Sequence, residues 1–414
     1  MENICVFGLG YIGLPTAAMF AHHGANVTGV DVNQHAVDTI NQGRIHIVEP
    51  GLEAIVKKAV DNGKLKASLK PVHSDAYLIA VPTPFKGDDH TPDLSYIQSV
   101  SKALAPLLEK GDVVILESTS PVGATEQMVE WLADARSDLT FPKYDEPDTE
   151  ADIFIAYCPE RVLPGKVVEE LIVNDRVIGG MTKQSTLKAK EVYRRFVTGE
   201  LLETNSRTAE MAKLTENAFR DVNIAFANEL SMISDKLNIN VWELIELANH
   251  HPRVNILQPG AGVGGHCIAV DPWFIVNKNP DEARIIRSAR EINDYKPEWV
   301  IEKINAEVAK LKSEGIEKPT VALLGLAFKP NIDDLRESPA LNIAKKMLTN
   351  ASATVLLVEP NIDKLPKGLE SGKLATLKEA TDKADIVAIL VAHDEFKKES
   401  LPNDIKVIDA VGII

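Results

Sequence analysis

Cysteine and positive charge are scarce in this chain, and a long apolar run is missing. Its 414 residues carry three cysteines, Cys5, Cys158 and Cys267, far apart and at no spacing that suits a metal or a redox pair. That excludes a disulfide-stapled framework and fits a reducing compartment. Acidic residues outnumber basic ones, 60 to 45, for a formal charge of −15. A nucleic acid or an anionic membrane surface is therefore not the main partner, and a phosphate-bearing ligand must be held by a few placed cations and helix ends. No apolar run approaches the roughly 18 residues of a membrane span. The start, Met1-Glu2-Asn3, lacks the basic region of a signal peptide, so the expectation is a cytoplasmic protein. The length is too great for one core and calls for about two or three domains.

What is present begins with a strand pattern at 3–7, then Gly8-Leu9-Gly10-Tyr11-Ile12-Gly13, a helix pattern to about 23, and a second strand at 26–30 ending on Asp31. Strand, glycine turn, helix, strand and acid are the context a dinucleotide fingerprint requires. Gly8 allows the tight turn, Gly10 lets a pyrophosphate approach the helix N-terminus, and Gly13 lets the helix pack on the sheet. Asp31 would accept bonds from the adenosine ribose hydroxyls and repel a 2′-phosphate. With no arginine close behind it, NAD is preferred over NADP. The alternative is a βα turn in some other doubly wound fold.

Alternation continues with strands at 76–81, 112–116 and 153–158, a helix over 93–108, a polar surface loop at 137–150, and one more strand and helix within 173–198. In open α/β sheets ligands sit at the carboxyl ends of the strands. Thr83 and Thr119 stand there, either to bond the cofactor or to cap the helices that follow. Arg161 stands there too, for a phosphate or carboxylate ligand or for a structural ion pair.

From 206 to 236 there is no proline or glycine, and apolar residues recur at helical spacing. A helix of roughly 45 Å results, long enough to be a spine between domains and a subunit interface. Lys213, Asn217 and Arg220 share one of its faces, turned to a polar site or to solvent. A helix over 240–249 leads to His250-His251-Pro252-Arg253. These histidines raise the thought of zinc, but no third ligand has metal spacing and no metal is expected. Next, Gly262, Gly264 and Gly265 clear side chains from the backbone beside Cys267, and Asp271 follows four residues later. That pattern suits a reactive thiol held against a bulky ligand. It also suits a glycine turn with an incidental small residue.

Residues 280–312 are largely helical, with Pro297 starting a new helix or kinking the old one. Strands near 320–325, 353–358, 385–391 and 405–409 then alternate with helices near 338–349 and 376–383. This is a second doubly wound sheet, though Gly325-Leu326-Ala327-Phe328 lacks the glycine fingerprint. Phe328-Lys329-Pro330 and the stretch 334–338 sit just past its first strand, at the ligand edge. The fold expected is α/β, two Rossmann-like doubly wound domains joined by a long central helix, with boundaries at 1–203, 204–313 and 314–414.

Five stretches occur in the right order: Gly-Leu-Gly-Tyr-Ile-Gly-Leu-Pro at 8–15, Glu-Ser-Thr-Ser-Pro-Val-Gly at 117–123, Glu210…Lys213…Asn217, Gly-Val-Gly-Gly-His-Cys at 262–267, and Phe328-Lys329-Pro330…Arg336-Glu337-Ser338-Pro339. Together they resemble the family of nucleotide-sugar 6-dehydrogenases, which includes the UDP-glucose and GDP-mannose dehydrogenases. Tyr157 to Gly165 and Gly264 to Trp273 look most like the branch acting on UDP-N-acetyl-D-mannosamine, which serves bacterial surface polysaccharide such as enterobacterial common antigen. The resemblance implies NAD-dependent, four-electron oxidation of a sugar alcohol to a carboxylate, with Cys267 carrying a thiohemiacetal and then a thioester. Lys213 and Asn217 would hold the oxyanion, and Asp271 with Thr119 would handle water. For the cofactor it implies Tyr11, Ile12, Asp31, Thr83, Thr119 and Arg336. For the UDP-sugar it implies Arg161, Val162, Lys213, Asn217, Arg220, His251, Arg253, Gly264, Phe328 and Lys329. A homodimer through the long helix is implied as well.

UDP-glucose dehydrogenases carry a second glutamate where this chain has Pro164, and a lysine where it has Val270. Both departures weaken that assignment. Three rival readings stand beside the main one. The first is the same chemistry on UDP-N-acetylglucosamine. The second is a two-electron reductase of the 3-hydroxyacid or 6-phosphogluconate type, with Cys267 idle. The third is a non-catalytic dinucleotide sensor.

Overall fold

The computed structural model describes residues 1–87, 89–146, 149–163, 165–265, 267–349, 351–398, 401–402 and 405–414. Pro164 and His266, named above, lie outside them. The chain forms two compact units, Met1–Glu216 and Asn217–Ile414.

The first unit holds β1 (Asn3–Phe7), β2 (Asn26–Val30), β3 (Leu65–Ser68), β4 (Ala76–Ile79), the short antiparallel pair β5 (Phe85–Lys86) and β6 (Thr91–Pro92), β7 (Val113–Leu116), β8 (Phe154–Tyr157), β9 (Arg176–Gly180) and β10 (Leu201–Asn205). Eight of these make one sheet in the order β10-β9-β8-β7-β4-β1-β2-β3. The run from β3 through β1 to β8 is parallel and doubly wound, so its strand order reverses beside β1 and opens a crevice at the carboxyl ends there. Every residue of β4 and β7 is buried, as befits strands covered on both faces. Along β1, Ile4 and Val6 join the core on one face, Cys5 and Phe7 that on the other.

Two features go beyond the sequence reading. β9 runs antiparallel to β8, which hydrophobicity alone does not distinguish. The stretch 32–75, for which the sequence raised no expectation, folds into helices Gln34–Asn41 and Leu52–Asp61 and the edge strand β3.

The helix Ser206–Leu237 starts within the first unit and ends within the second. Helix Val241–Asn249 follows, capped by the Asn240 side chain accepting the Trp242 and Glu243 N–H groups. Helix Arg284–Ser313 is a single element with Pro297 inside it. The bond Pro297 cannot donate is outweighed by a face that buries Asn293, Lys296, Val300, Ile304 and Val308. The second sheet comprises β11 (Thr320–Leu324), β12 (Thr354–Val358), β13 (Lys373–Leu374), β14 (Ile386–Ile389) and β15 (Lys406–Asp409). All its pairings are parallel and its order is β13-β12-β11-β14-β15. The expected pair of doubly wound α/β sheets is thus what the chain builds. Among the described residues no helix is long and apolar enough to cross a membrane.

Candidate active site

The glycine turn of the first sheet is built as its residue types require. Gly8 has φ +83°, and a Cβ there would lie 2.6 Å from the Ala80 carbonyl oxygen. A Cβ on Gly13 would lie 1.7 Å from Gly8 O, whereas one on Gly10 would meet nothing within 4 Å. The first and third glycines are therefore consumed by packing, and the second faces open space at the start of helix Gly13–His22. Asp31 accepts the Leu9 N–H through Oδ2 and the Asn33 N–H through Oδ1, each at 2.8 Å. It pins the turn while staying half-buried, with lone pairs left for a ribose diol. This cradle fits a dinucleotide. Tyr11 lies beside it and packs on the core; Ile12 is the N-cap residue of the helix.

At the neighbouring strand ends, the Thr83 hydroxyl donates to Thr119 O at 2.5 Å, so two expected site residues are brought together. Neither threonine is an N-cap: the helices that follow start from Leu94 and Gly123. The second of these is capped from elsewhere. Glu210 accepts the Gly123 N–H (2.7 Å), the Thr125 N–H (2.8 Å) and the Thr125 hydroxyl (2.6 Å). It ties the long helix, three residues before Lys213, to the loop that carries Thr119. Local sequence held no signal for this bond, whose partners are 85 and 87 residues apart.

Arg161 is in an ion pair. Its guanidinium bonds Glu216, at 2.8 Å for the shorter contact, and the Asp175 carbonyl. Val162 packs on the first core. Glu49 accepts the Gly165 and Val167 N–H groups and so holds the far end of the Arg161 loop, again without a local signal. Beneath lies a buried cluster: Glu160 pairs with Arg176 at 2.8 Å, and the Tyr193 hydroxyl donates to Glu117. Burial pushes the Cys158 thiol up to about 12, and Cys5 likewise. Both thiols are buried and stay protonated, hence unreactive, Cys158 with Arg176 Nη1 at 3.9 Å from its sulfur.

Burial also pushes Glu117 and Glu210 up to about 7 from an ordinary 4.5. Between those values the folded chain binds protons that the unfolded chain has released, so their contribution is fully present below about pH 4.5. It is lost as pH rises through about 7. The expected result is a first-unit melting temperature that falls by a few degrees between pH 5 and 8. Glu117→Gln, measured by calorimetry over the same range, should flatten part of that slope; an unchanged slope would count against it.

The second unit holds the thiol. The Asn217 side-chain N–H donates to Asp271 Oδ2 at 2.5 Å, and Asp271 is 2% exposed. The Val270 and Asp271 N–H groups both reach Cys267 O, at 3.0 and 2.8 Å. Cys267 therefore rides on the turn that opens helix Asp271–Lys278, with its side chain exposed. On the side where a Cβ would stand, the loop glycines meet the chain itself. A Cβ on Gly262 would strike Pro339 and Pro297, one on Gly264 would lie 2.5 Å from Glu337 O, and one on Gly265 3.2 Å from the Phe328 ring. Their absence lets the loop lie flat on the segment 328–339.

Elsewhere in this unit, Arg336 forks onto Asp334, the Arg253 N–H meets His251 Nδ1 at 3.3 Å, and Arg220 and Lys329 are exposed. Lys213 is half-buried and belongs to the first unit. Among the described residues no group of three or more His, Cys, Asp or Glu is placed to hold a metal.

Three successive family profiles match the chain, all of the UDP-glucose/GDP-mannose dehydrogenase family: its NAD binding domain over residues 2–197, its central domain over 207–295 and its UDP binding domain over 322–414. A UDP-N-acetyl-D-mannosamine dehydrogenase of Escherichia coli K12 is 61% identical over 417 residues, 99% of each chain. An NDP-N-acetyl-D-galactosaminuronic acid dehydrogenase of Ralstonia nicotianae is 58% identical, covering 96% of this chain and 92% of its own. Among solved structures, a UDP-D-ManNAc dehydrogenase of Pyrococcus horikoshii superimposes with a TM-score of 0.87 at 37% identity, covering 100% of this chain and 96% of its own.

Proposed function

The chain belongs to the UDP-glucose/GDP-mannose dehydrogenase family, and from that premise we propose that it oxidises UDP-N-acetyl-D-mannosamine to the uronate, with Cys267 as nucleophile. It is an NAD-dependent oxidoreductase. The substrate reading is supported by 61% identity to the Escherichia coli relative of that name. The observation that carries the chemistry is the exposed Cys267 on a turn closed by Asp271, itself bonded to Asn217.

NAD held by the glycine turn and Asp31 supplies a two-electron hydride acceptor, used twice in succession. The alcohol proton passes to water as the C6 carbon becomes an aldehyde, and the ammonium of Lys213, one helical turn before Asn217, steadies the oxygen. The Cys267 thiolate adds to that carbon, forming a C–S bond, and the new alkoxide is protonated to a thiohemiacetal. Capture keeps the aldehyde in place during cofactor exchange. Oxidation of this adduct leaves a thioester. Asp271, with Thr119 helping to hold the water, guides attack on the carbonyl; the C–S bond breaks, and carboxylate and thiol are released. The sum is one alcohol, one water and two NAD giving one carboxylate, two NADH and three protons. Arg161, Val162, Arg220, His251, Arg253, Gly264, Phe328 and Lys329 are assigned to the sugar nucleotide, and Tyr11, Ile12, Thr83 and Arg336 to the cofactor.

Product analysis tests the reading: two NADH per uronate from UDP-N-acetyl-D-mannosamine. A faster turnover of UDP-N-acetylglucosamine, or of the galacto sugar nucleotide that the Ralstonia relative's name suggests, would displace the manno assignment. Asp31→Ala should raise KM for NAD by about 10–100-fold, the worth of hydrogen bonds to a charged acceptor, with KM for the sugar nucleotide little changed. An unchanged KM for NAD would remove Asp31 from the cofactor site.

The same reading places the enzyme in the cytoplasm, making uronate for a bacterial surface polysaccharide, and as a homodimer. Phe219, Phe226 and Ile233 are 70%, 51% and 48% exposed and stand seven residues apart on the long helix, one apolar stripe with coiled-coil spacing. Phe226→Asp should convert a dimer to monomers in light scattering; a chain that is monomeric before substitution sinks the proposal.

A further inference from the structure

The two sheets carry the same device at the same place, and in the second it is sealed. In the first sheet the Gly8 N–H bonds Val30 O at 2.8 Å, and Asp31, just past β2, accepts the Leu9 N–H. In the second the Gly325 N–H bonds Val358 O at 2.8 Å, and Glu359, just past β12, accepts the Leu326 N–H at 2.7 Å. Gly8 and Gly325 share the left-handed backbone, φ +83° and +95°. Asp31 is half-buried and open to a ribose. Glu359 has no open side: its Oε2 also takes the Ala327 N–H at 3.0 Å and lies 3.1 Å from His393 Nε2. Its Oε1 takes the Asn361 N–H and side-chain N–H. Both Glu359 and His393 side chains are 0% exposed.

His393 completes the other end of the loop. Its Nδ1 accepts the Asn331 N–H at 2.9 Å, so the ring proton belongs on Nε2, where it is donated to Glu359. Asn331 is a non-glycine residue at φ +60°, a conformation that costs free energy and needs surrounding bonds to hold it. Its side chain is tied to Asp394 at both its oxygen and its nitrogen. Burial alone would raise the Glu359 pKa; the bonds from His393, Leu326 and Asn361 outweigh it and hold the carboxyl at about 2. The pair therefore grips 326–327 at one end and 331 at the other. Between them lie Phe328, whose ring backs Gly265 of the cysteine loop at the 3.2 Å given above, and Lys329.

We propose that Glu359 and His393 form an internal clamp that positions Phe328 and Lys329 for the UDP moiety, in place of the ribose-binding role the equivalent acid has in the first sheet. The proposal rests on the reading of Phe328 and Lys329 as sugar-nucleotide contacts. The pair are positioning residues: they touch the loop and not the substrate.

The test is His393→Ala in the full chain, with UDP affinity measured by calorimetry and steady-state kinetics on the accepted UDP-sugar. The dissociation constant of UDP and KM for the sugar nucleotide should each rise about tenfold. KM for NAD, and kcat per titratable Cys267, should stay within about twofold. A merely structural defect would shrink the active fraction and leave both affinities alone. If that variant does not fold, Glu359→Gln, which keeps the side chain's shape, is read in the same way. UDP affinity unchanged within twofold in a folded variant overturns the clamp, and so does an unmodified chain that does not bind UDP. An unmodified chain that binds UDP but oxidises no UDP-sugar fails the proposed activity instead, and the UDP measurement still decides the clamp.

Discussion

Cys267→Ser is expected to lower uronate formation by at least about 10³-fold, leaving at most one slow hydride transfer per sugar. Serine keeps the size and the exposure but not the nucleophile, because an alcohol is scarcely ionised at neutral pH. The effect should be specific to this position. Cys5 and Cys158 are buried, with thiols held up at about 12, so neither can stand in. Alkylation with iodoacetamide should therefore label one residue of the folded chain and abolish activity in step. The measurement is uronate and NADH counted separately in single-turnover and steady-state runs. Full uronate production by the serine variant would refute covalent capture and favour a two-electron reductase with Cys267 as a bystander.

Arg290→Met is expected to cost the second unit about 3–5 kcal/mol, the loss incurred when a buried charge loses its partner. The Arg290 and Asp221 side chains are 1% and 0% exposed and meet at 2.7 Å. Asn293 also donates to Asp221 Oδ1 and in turn accepts from the Asn228 side chain, whose Oδ1 takes the Gly260 N–H. The chain of bonds runs from the long helix through helix Arg284–Ser313 to the approach of the cysteine loop. With Arg290 gone, Asp221 must stay charged in a dry site or take up a proton, and burial already raises its pKa. Replacing both partners together, as Arg290→Met with Asp221→Leu, should recover most of the loss, since removing a buried pair costs far less than breaking it. Denaturant unfolding of the single and double variants checks this. A single-variant loss under about 1 kcal/mol would mean the pair is solvated in practice.

Much of the architecture is legible in the sequence alone. Strands such as β4 and β7 are covered on both faces, so every residue is apolar and the run announces itself. The helix Ser206–Leu237 was marked by the lack of proline and glycine, and Asp31 by its place after the second strand of a glycine-turn unit. The polarity of β9 was not legible, because strand direction leaves no trace in hydrophobic pattern. Nor were the edge strand β3 and the half-exposed β10, whose apolar signal is diluted by solvent-facing residues.

Chain order and residue type by themselves determined that there are two doubly wound sheets, a glycine turn shaped for a dinucleotide, and a cysteine beside glycines and an aspartate. Those features depend on local periodicity and on backbone freedom, which neighbours along the chain dictate. Only the tertiary structure decided who holds whom: Glu210 on the Thr119 loop, Glu49 on the Arg161 loop, Asp271 on Asn217, His393 with Glu359 around Phe328. Each of these is a hydrogen bond between side chains or loops tens of residues apart, made with at least one partner buried, where a polar group without a partner would be costly; which group supplies that partner is decided by the fold.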